Sequence, residues 1–166
     1  MLFDKGEKLL LNRFKVKNGG GASGIVAKAD DNLPEVPKKS TIAERIEKGE
    51  ISTKIDKGKQ KKHIEGTNEF NTYKEGRNQK GHTVQNILTI NDTQIQKLIN
   101  DFAGKGEPKK VKKNVSVNVE YAETNFIIGK YYSDGKYYDT KRFAIHYSKS
   151  GAHIIPVGPK GVFNDD

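Results

Sequence analysis

The 166-residue chain has no cysteine and no tryptophan. Without thiols it can build no disulfide scaffold, no thiolate zinc or iron–sulfur centre, and no cysteine nucleophile. Apolar side chains are also few, at 33% of the residues. No apolar run approaches the roughly 20 residues that a membrane-spanning helix needs, and the longest pieces are fragments such as Phe126-Ile127-Ile128. Met1-Leu2-Phe3-Asp4-Lys5 lacks the apolar core of a secretory signal peptide. So lean a composition, with 17 glycines, predicts a modest core and a good deal of loop.

Negative charge is the minority sign: 21 Asp and Glu face 30 Lys and Arg, a net +9. The surplus is concentrated. Residues 54–113 carry 14 basic and 7 acidic groups, whereas residues 114–166 carry 6 of each. A polyanion such as nucleic acid is the natural partner for that middle third; a lysine-rich solvated surface is the plainer reading.

The first fifty residues read as a flexible leader. Leu9-Leu10-Leu11 is a short apolar patch, Asn18-Gly19-Gly20-Gly21-Ala22-Ser23-Gly24 is linker-like, and the prolines of Asn32-Leu33-Pro34-Glu35-Val36-Pro37 hold the chain extended. A short helix is expected from Ser40 or Thr41 to Lys48, with Glu44 at a capping-box position. Residues 51–160 are expected to form the domain and 161–166 a tail. Within the domain, Ile51 to Gly81 is polar and irregular; Lys57 to Asn68 packs lysines around His63, and the aromatics Phe70 and Tyr73 follow. Apolar positions Ile95, Leu98, Ile99 and Phe102, spaced by three and four, predict a helix that closes on Gly104. Past the lysine cluster Lys109–Lys113 the period becomes two: Val115, Val117, Val119 and Tyr121 alternate with polar residues. Strands are expected at Phe126–Tyr132, Arg142–Ser148 and His153–Val157, with a hairpin turn at Ser133-Asp134-Gly135-Lys136. The class is α+β, with N-terminal helices and loop packed on a C-terminal antiparallel sheet.

Strand alternation places Thr140, Arg142, Ala144, His146 and Ser148 on one face, and Phe143, Ile145 and Tyr147 on the other. A two-residue turn at Ser150-Gly151 would pair Ser148 with His153 and put His153 beside His146 and Arg142, whereas a three-residue loop would move it to the opposite face. A guanidinium, hydroxyls and imidazoles on one face are what metal-free RNA cleavage needs. A base takes the 2′-hydroxyl proton, an acid protonates the leaving 5′-oxygen, and a cation steadies the phosphorane. A polar, solvated outer sheet face accounts for the same residues. His63 likewise has two readings: a surface histidine in a lysine loop, or a catalytic imidazole whose neighbours Lys59 and Lys62 bind phosphate and depress its pKa. His82 follows Gly81 without such a context. No His-Glu-x-x-His spacing or phosphate-cradling glycine loop is present, so neither a metal nor a nucleotide cofactor is expected.

Two segments together resemble a known family. Lys57-Gly58-Lys59-Gln60-Lys61-Lys62-His63-Ile64-Glu65-Gly66-Thr67 is similar to the opening motif of the polymorphic toxin type 50 domain. The stretch from Thr140 to Pro156 is similar to its closing motif, and Phe102-Ala103-Gly104-Lys105-Gly106 fits between. The resemblance implies a fold like that of the barnase–EndoU–colicin–RelE group and endonucleolytic RNA cleavage, with tRNA among the candidate substrates. It implies His63, Thr140, Arg142, Ser148 and His153 as site residues, with Lys59 and Lys62 on phosphate; Lys61, His146 and Tyr147 complete the expected RNA-contacting set. It further implies a monomeric toxin module, secreted or delivered into a target cell's cytoplasm and neutralised by a cognate immunity protein of acidic character. Related copies occur on phage head proteins, so a phage particle is the other location open. The rival expectation is a non-catalytic nucleic-acid-binding module on a phage head or secreted structural protein, with tyrosines 131, 132, 137 and 138 as stacking surfaces.

Overall fold

The computed structural model describes residues 41–161; the expected leader before Thr41 and all but the first residue of the expected tail lie outside them. Four helices are present among these residues: α1 (Ile42–Glu47), α2 (Lys57–Lys61), α3 (Asn68–Gln79) and α4 (Asp92–Phe102). The strands are β1 (Ile87–Leu88), β2 (Glu107–Val111), β3 (Asn114–Glu123), β4 (Gly129–Ser133), β5 (Lys136–Thr140), β6 (Arg142–Tyr147) and β7 (Ala152–Pro156). They form two sheets, ordered β2-β3-β6-β7 and β1-β4-β5, and every strand pair is antiparallel. The class is α+β, as expected, but the strands divide between two sheets.

The division occurs at Thr140. Its hydroxyl donates to the Val157 carbonyl at 2.7 Å and accepts from the Arg142 amide at 3.1 Å. Those bonds hold a corner between β5 and β6, so consecutive strands enter different sheets.

Local chemistry explains the helices. At α1, Thr41 and Glu44 bond each other's backbone amides at 3.2 and 2.7 Å, a reciprocal capping box. At α4, Asn91 and Gln94 do the same at 3.0 and 3.1 Å. The α4 stripe of Ile95, Leu98 and Ile99 joins Phe143, Ile145, Tyr147, Ala152 and Ile154 of the sheet in one core. Each isoleucine so buried stabilises the fold by about 2 kcal/mol relative to exposure. Ile42 belongs to the same core and Ile46 packs against it, so the helix expected as part of the leader is built into the compact body.

Two expectations are corrected. The stretch from Ile51 to Gly81 is not irregular, since it holds the whole of α2 and the twelve-residue α3. Only Phe70 and Arg77 of α3 are buried, so the helix carries almost no apolar period to be seen. The strand expected from Phe126 starts only at Gly129, and Phe126 and Ile127 are 40% and 49% exposed. Gly129 lies so close to β1 that a Cβ there would sit 2.3 Å from the Ile87 carbonyl oxygen. The turn at Asp134-Gly135 is as expected, with both residues at positive φ (50° and 83°) and Ser133 opposite Lys136.

Candidate active site

The site begins with the pairing of β6 and β7. His146 lies directly opposite His153, and Tyr147 opposite Ala152. The connection is therefore the four residues Ser148–Gly151, closed by the Ser148 amide on the Gly151 carbonyl at 2.9 Å. The expected partner of His153 was Ser148, so the register is shifted by two residues. Side chains alternate with period two, so that shift leaves His153 on the His146 face. The cause lies upstream: Ala152 exchanges backbone hydrogen bonds of 2.7 Å with Lys54 and Asp56, which pins the start of β7.

α2 delivers the third histidine. Gln60, completely buried, receives the Ile154 amide on Oε1 at 2.8 Å and donates from Nε2 to the Ile154 carbonyl at 2.9 Å. Its side-chain amide thus stands in for a neighbouring strand on β7, which is a sheet edge. Three residues on, His63 is 2% exposed. Its ring stacks on His153 with centroids 6.0 Å apart and planes at 16°, and stands edge-on to Tyr73 at 5.8 Å. His153 in turn lies 5.2 Å from His146. Three imidazoles form a row across the junction of helix and sheet.

All three are held in the neutral form. Burial pushes His63 down to about 4, against the opposing pull of the Asn86 carbonyl; the charges of His146, Arg77 and Lys62 lower it further. The lysine contribution expected from sequence is therefore minor beside burial. His146 is also pushed down to about 4, by burial and then by Lys109. His153 is pushed down to about 3, by burial and then by its histidine neighbours and Lys59, while Asp56 acts in the opposite sense. His63 Nδ1 faces the Asn86 carbonyl at 3.4 Å. A carbonyl only accepts, so Nδ1 carries the proton and the lone pair sits on Nε2. His153 Nδ1 is buried without a hydrogen-bond partner.

A polar cup adjoins the row. Lys59 Nζ donates to Ser148 Oγ at 2.9 Å and pairs with Asp56 Oδ2 at 3.3 Å. Asp56 is also the N-cap of α2, accepting the Lys59 amide at 3.1 Å, and this bond is the first cause holding its carboxyl below the usual range. Ser150 bonds both Ser148 (3.1 Å) and Asp56 (3.3 Å).

The remaining expected residues lie elsewhere. Thr140 is the buried corner clamp already described. Arg142 is four residues from His146 along β6, about 13 Å at strand rise; its guanidinium donates to the Gly158 carbonyl at 3.1 Å and lies 4.6 Å over the Tyr121 ring. Tyr147 points into the core and donates to Glu120 at 2.6 Å, so it is no surface contact. Lys61 pairs with Glu69 at 3.4 Å, and Lys62 Nζ sits 5.5 Å over the Tyr73 ring. Sequence reasoning missed Gln60, Asn86, Asp56 and Arg77. Gln60 sits inside the opening motif without a reactive group of its own, and all four matter only through what the fold sets beside them. Among the described residues no three His, Asp or Glu side chains are placed to hold a metal ion, and no helix is long and apolar enough to cross a membrane.

The imidazole row predicts acid sensitivity. Each folded-state pKa lies below the ordinary 6.5, so below that value the unfolded chain binds more protons than the native one. The stabilising contribution is full above pH 6.5 and is lost as pH falls through 6 toward 4, by up to about 1.4 kcal/mol per pH unit for each histidine. Urea midpoints measured from pH 8 to pH 4 should hold steady and then fall. A midpoint flat to pH 4.5 would contradict buried neutral histidines.

The family model described as Bacterial toxin 50 matches residues 55–156, a span that contains the whole imidazole row and the polar cup. No curated protein and no solved structure matches the chain. The family match extends over more than half of the sequence, and the chain belongs to the bacterial toxin 50 family.

Proposed function

We propose that this toxin domain is an endoribonuclease that cleaves RNA without a metal ion. The observation that carries the proposal is the row His63–His153–His146 beside Lys59 and Ser148. A neutral imidazole with its free lone pair fixed on Nε2 is a competent general base, and His63 has that form at neutral pH. The scissile phosphate sits in the cup, where Lys59 and Ser148 meet its oxygens and Lys59 steadies the phosphorane. His63 Nε2 takes the 2′-hydroxyl proton, the 2′-oxygen bonds to phosphorus, and the bond to the 5′-oxygen breaks. His153, whose pKa rises beside the bound phosphate charge, protonates that oxygen. The products are a 2′,3′-cyclic phosphate and a free 5′-hydroxyl. His146 is the neighbouring imidazole through which His153 regains a proton. Arg142, some 13 Å along the strand, serves the RNA backbone away from the reacting phosphate. Such a module acts in a target cell's cytoplasm, and in the producing cell an acidic immunity protein complementary to its +9 charge neutralises it.

The test is incubation of the purified chain with total bacterial RNA in excess EDTA, followed by analysis of fragment ends. Discrete fragments with cyclic-phosphate ends are expected. Intact RNA from folded protein would favour the non-catalytic binding module, and cleavage only on restoring magnesium would refute metal independence.

A further inference from the structure

Beside the imidazole row, α3 turns a polar face to a groove of about 980 Å³. Two ridges of the helix, each with residues four apart, line it. One is Asn68, Thr72, Gly76 and Lys80; the other is Glu69, Tyr73 and Arg77. Lys62 borders the same space, so the cationic side chains outnumber the single carboxylate, and that carboxylate is already paired with Lys61.

Tyr73 joins the groove to the catalytic row. Its ring meets His63 edge-on at 5.8 Å, with Lys62 Nζ and the Arg77 guanidinium each 5.5 Å over it. Arg77 accepts no freedom of its own: it donates to the Thr83 carbonyl at 2.8 Å and to the Tyr73 hydroxyl at 3.1 Å. The ring is therefore held rigidly at the groove wall, half-buried.

Gly76 is the second observation. A glycine inside a helix destabilises it relative to alanine. This one does not have a positive φ, and a Cβ built on it would meet nothing within 4 Å. No packing among the described residues calls for glycine there. It lines the groove between Thr72 and Lys80, where a missing side chain leaves space that no described residue fills. The groove is cationic, has an aromatic wall, and is wide enough for a nucleotide-sized ligand.

We propose, building on the nuclease reading, that this groove is a nucleotide subsite that seats a base of single-stranded RNA next to the scissile phosphate, against Tyr73 and over Gly76.

The probe is a fluorescent, single-stranded 2′-O-methyl oligoribonucleotide, which lacks the attacking hydroxyl and cannot be cut, titrated into the full chain by anisotropy. Gly76→Gln fills that space and Thr72→Glu places a negative charge beside it. Each is expected to weaken binding about tenfold or more, within the range set by loss of base stacking. Gly76→Ala is expected to raise the thermal midpoint by about 3 °C while weakening binding, a gain in stability at the expense of the ligand. Lys97→Gln, on α4, should bind as the wild type does. Wild-type affinity in both folded groove variants, or no binding by the wild type itself, overturns the subsite. Cleavage of natural RNA is scored separately: groove-dependent binding without cleavage would refute the nuclease and leave the subsite standing.

Discussion

Substituting His63 by asparagine is expected to lower RNA cleavage by about 10²- to 10⁴-fold, the usual contribution of a positioned general base, and to leave the fold intact. Asparagine is chosen for its chemistry. Its side-chain amide can still donate to the Asn86 carbonyl that His63 Nδ1 now faces, and it is short enough to leave Tyr73 and His153 where they are. It has no lone pair where Nε2 stood. Loss of activity with an unchanged thermal midpoint therefore isolates the proton transfer from the packing. Alanine would confound the two, since it opens a cavity under Tyr73 and strands the Asn86 carbonyl.

The same site makes a signed prediction about protons. In the free protein burial keeps His153 down at about 3 and His63 at about 4, so both are neutral at pH 7. The base role is met at once; the acid role requires the bound phosphate to raise His153. The signals of His63, His146 and His153 in the free protein should therefore stay unprotonated through pH 5.5 to 8, and the uncleavable oligonucleotide should move one of these titrations upward, with His153→Gln removing it. If folded His63→Asn protein cut RNA at the wild-type rate, the imidazole row would be structural only.

How much of this is legible in the sequence depends on whether burial is announced by an apolar pattern. α4 is legible because Ile95, Leu98, Ile99 and Phe102 recur at helical spacing, and they do fill the core. α3 is hidden because its two buried positions are Phe70 and an arginine, so nothing repeats. The face shared by His146 and His153 is legible only once the turn is given an even number of residues, and it then survives a register error of two because side chains alternate with period two. Placing His63 beside them is not legible. It depends on Gln60 capturing the β7 edge through a side-chain amide, and no local rule announces such a bond. Arg142 shares the His146 parity yet serves a different region, because parity reports the face of a strand and not the distance along it.

The largest loss of stability is expected from Glu120→Ala. Along β3 the valines at 115, 117 and 119 suggest that their face is the inner one, with Glu120 outward. The structure departs from this at both ends of the run: Glu120 is 1% exposed, while Val115 is 55% exposed. A buried carboxylate is tolerable only when its oxygens are fully engaged. Here Oε1 accepts from the Tyr147 hydroxyl at 2.6 Å and from the Gly104 amide at 2.7 Å, and Oε2 accepts from the Gly106 amide at 2.9 Å. One side chain on β3 thus fastens the chain that leaves α4 to the centre of the main sheet. Burial, with the hydrogen bond to Glu120, pushes the Tyr147 hydroxyl pKa up, so it remains a donor. Gly106 has no Cβ for a related reason, since one would lie 3.0 Å from Glu120 Oε2 and 2.6 Å from the Tyr121 carbonyl. Alanine at 120 leaves one buried hydroxyl and two half-buried amides without their acceptor, a loss of about 3–5 kcal/mol, or a midpoint lower by about 10–15 °C for a chain of this size. Tyr147→Phe removes one donor and keeps the other two bonds, so it should cost only about 1–2 kcal/mol. In the double variant the orphaned hydroxyl is gone, and the combined loss should be smaller than the sum of the two. Strict additivity would mean that the hydroxyl and carboxylate do not interact, and a Glu120→Ala midpoint within 3 °C of wild type would refute the staple itself.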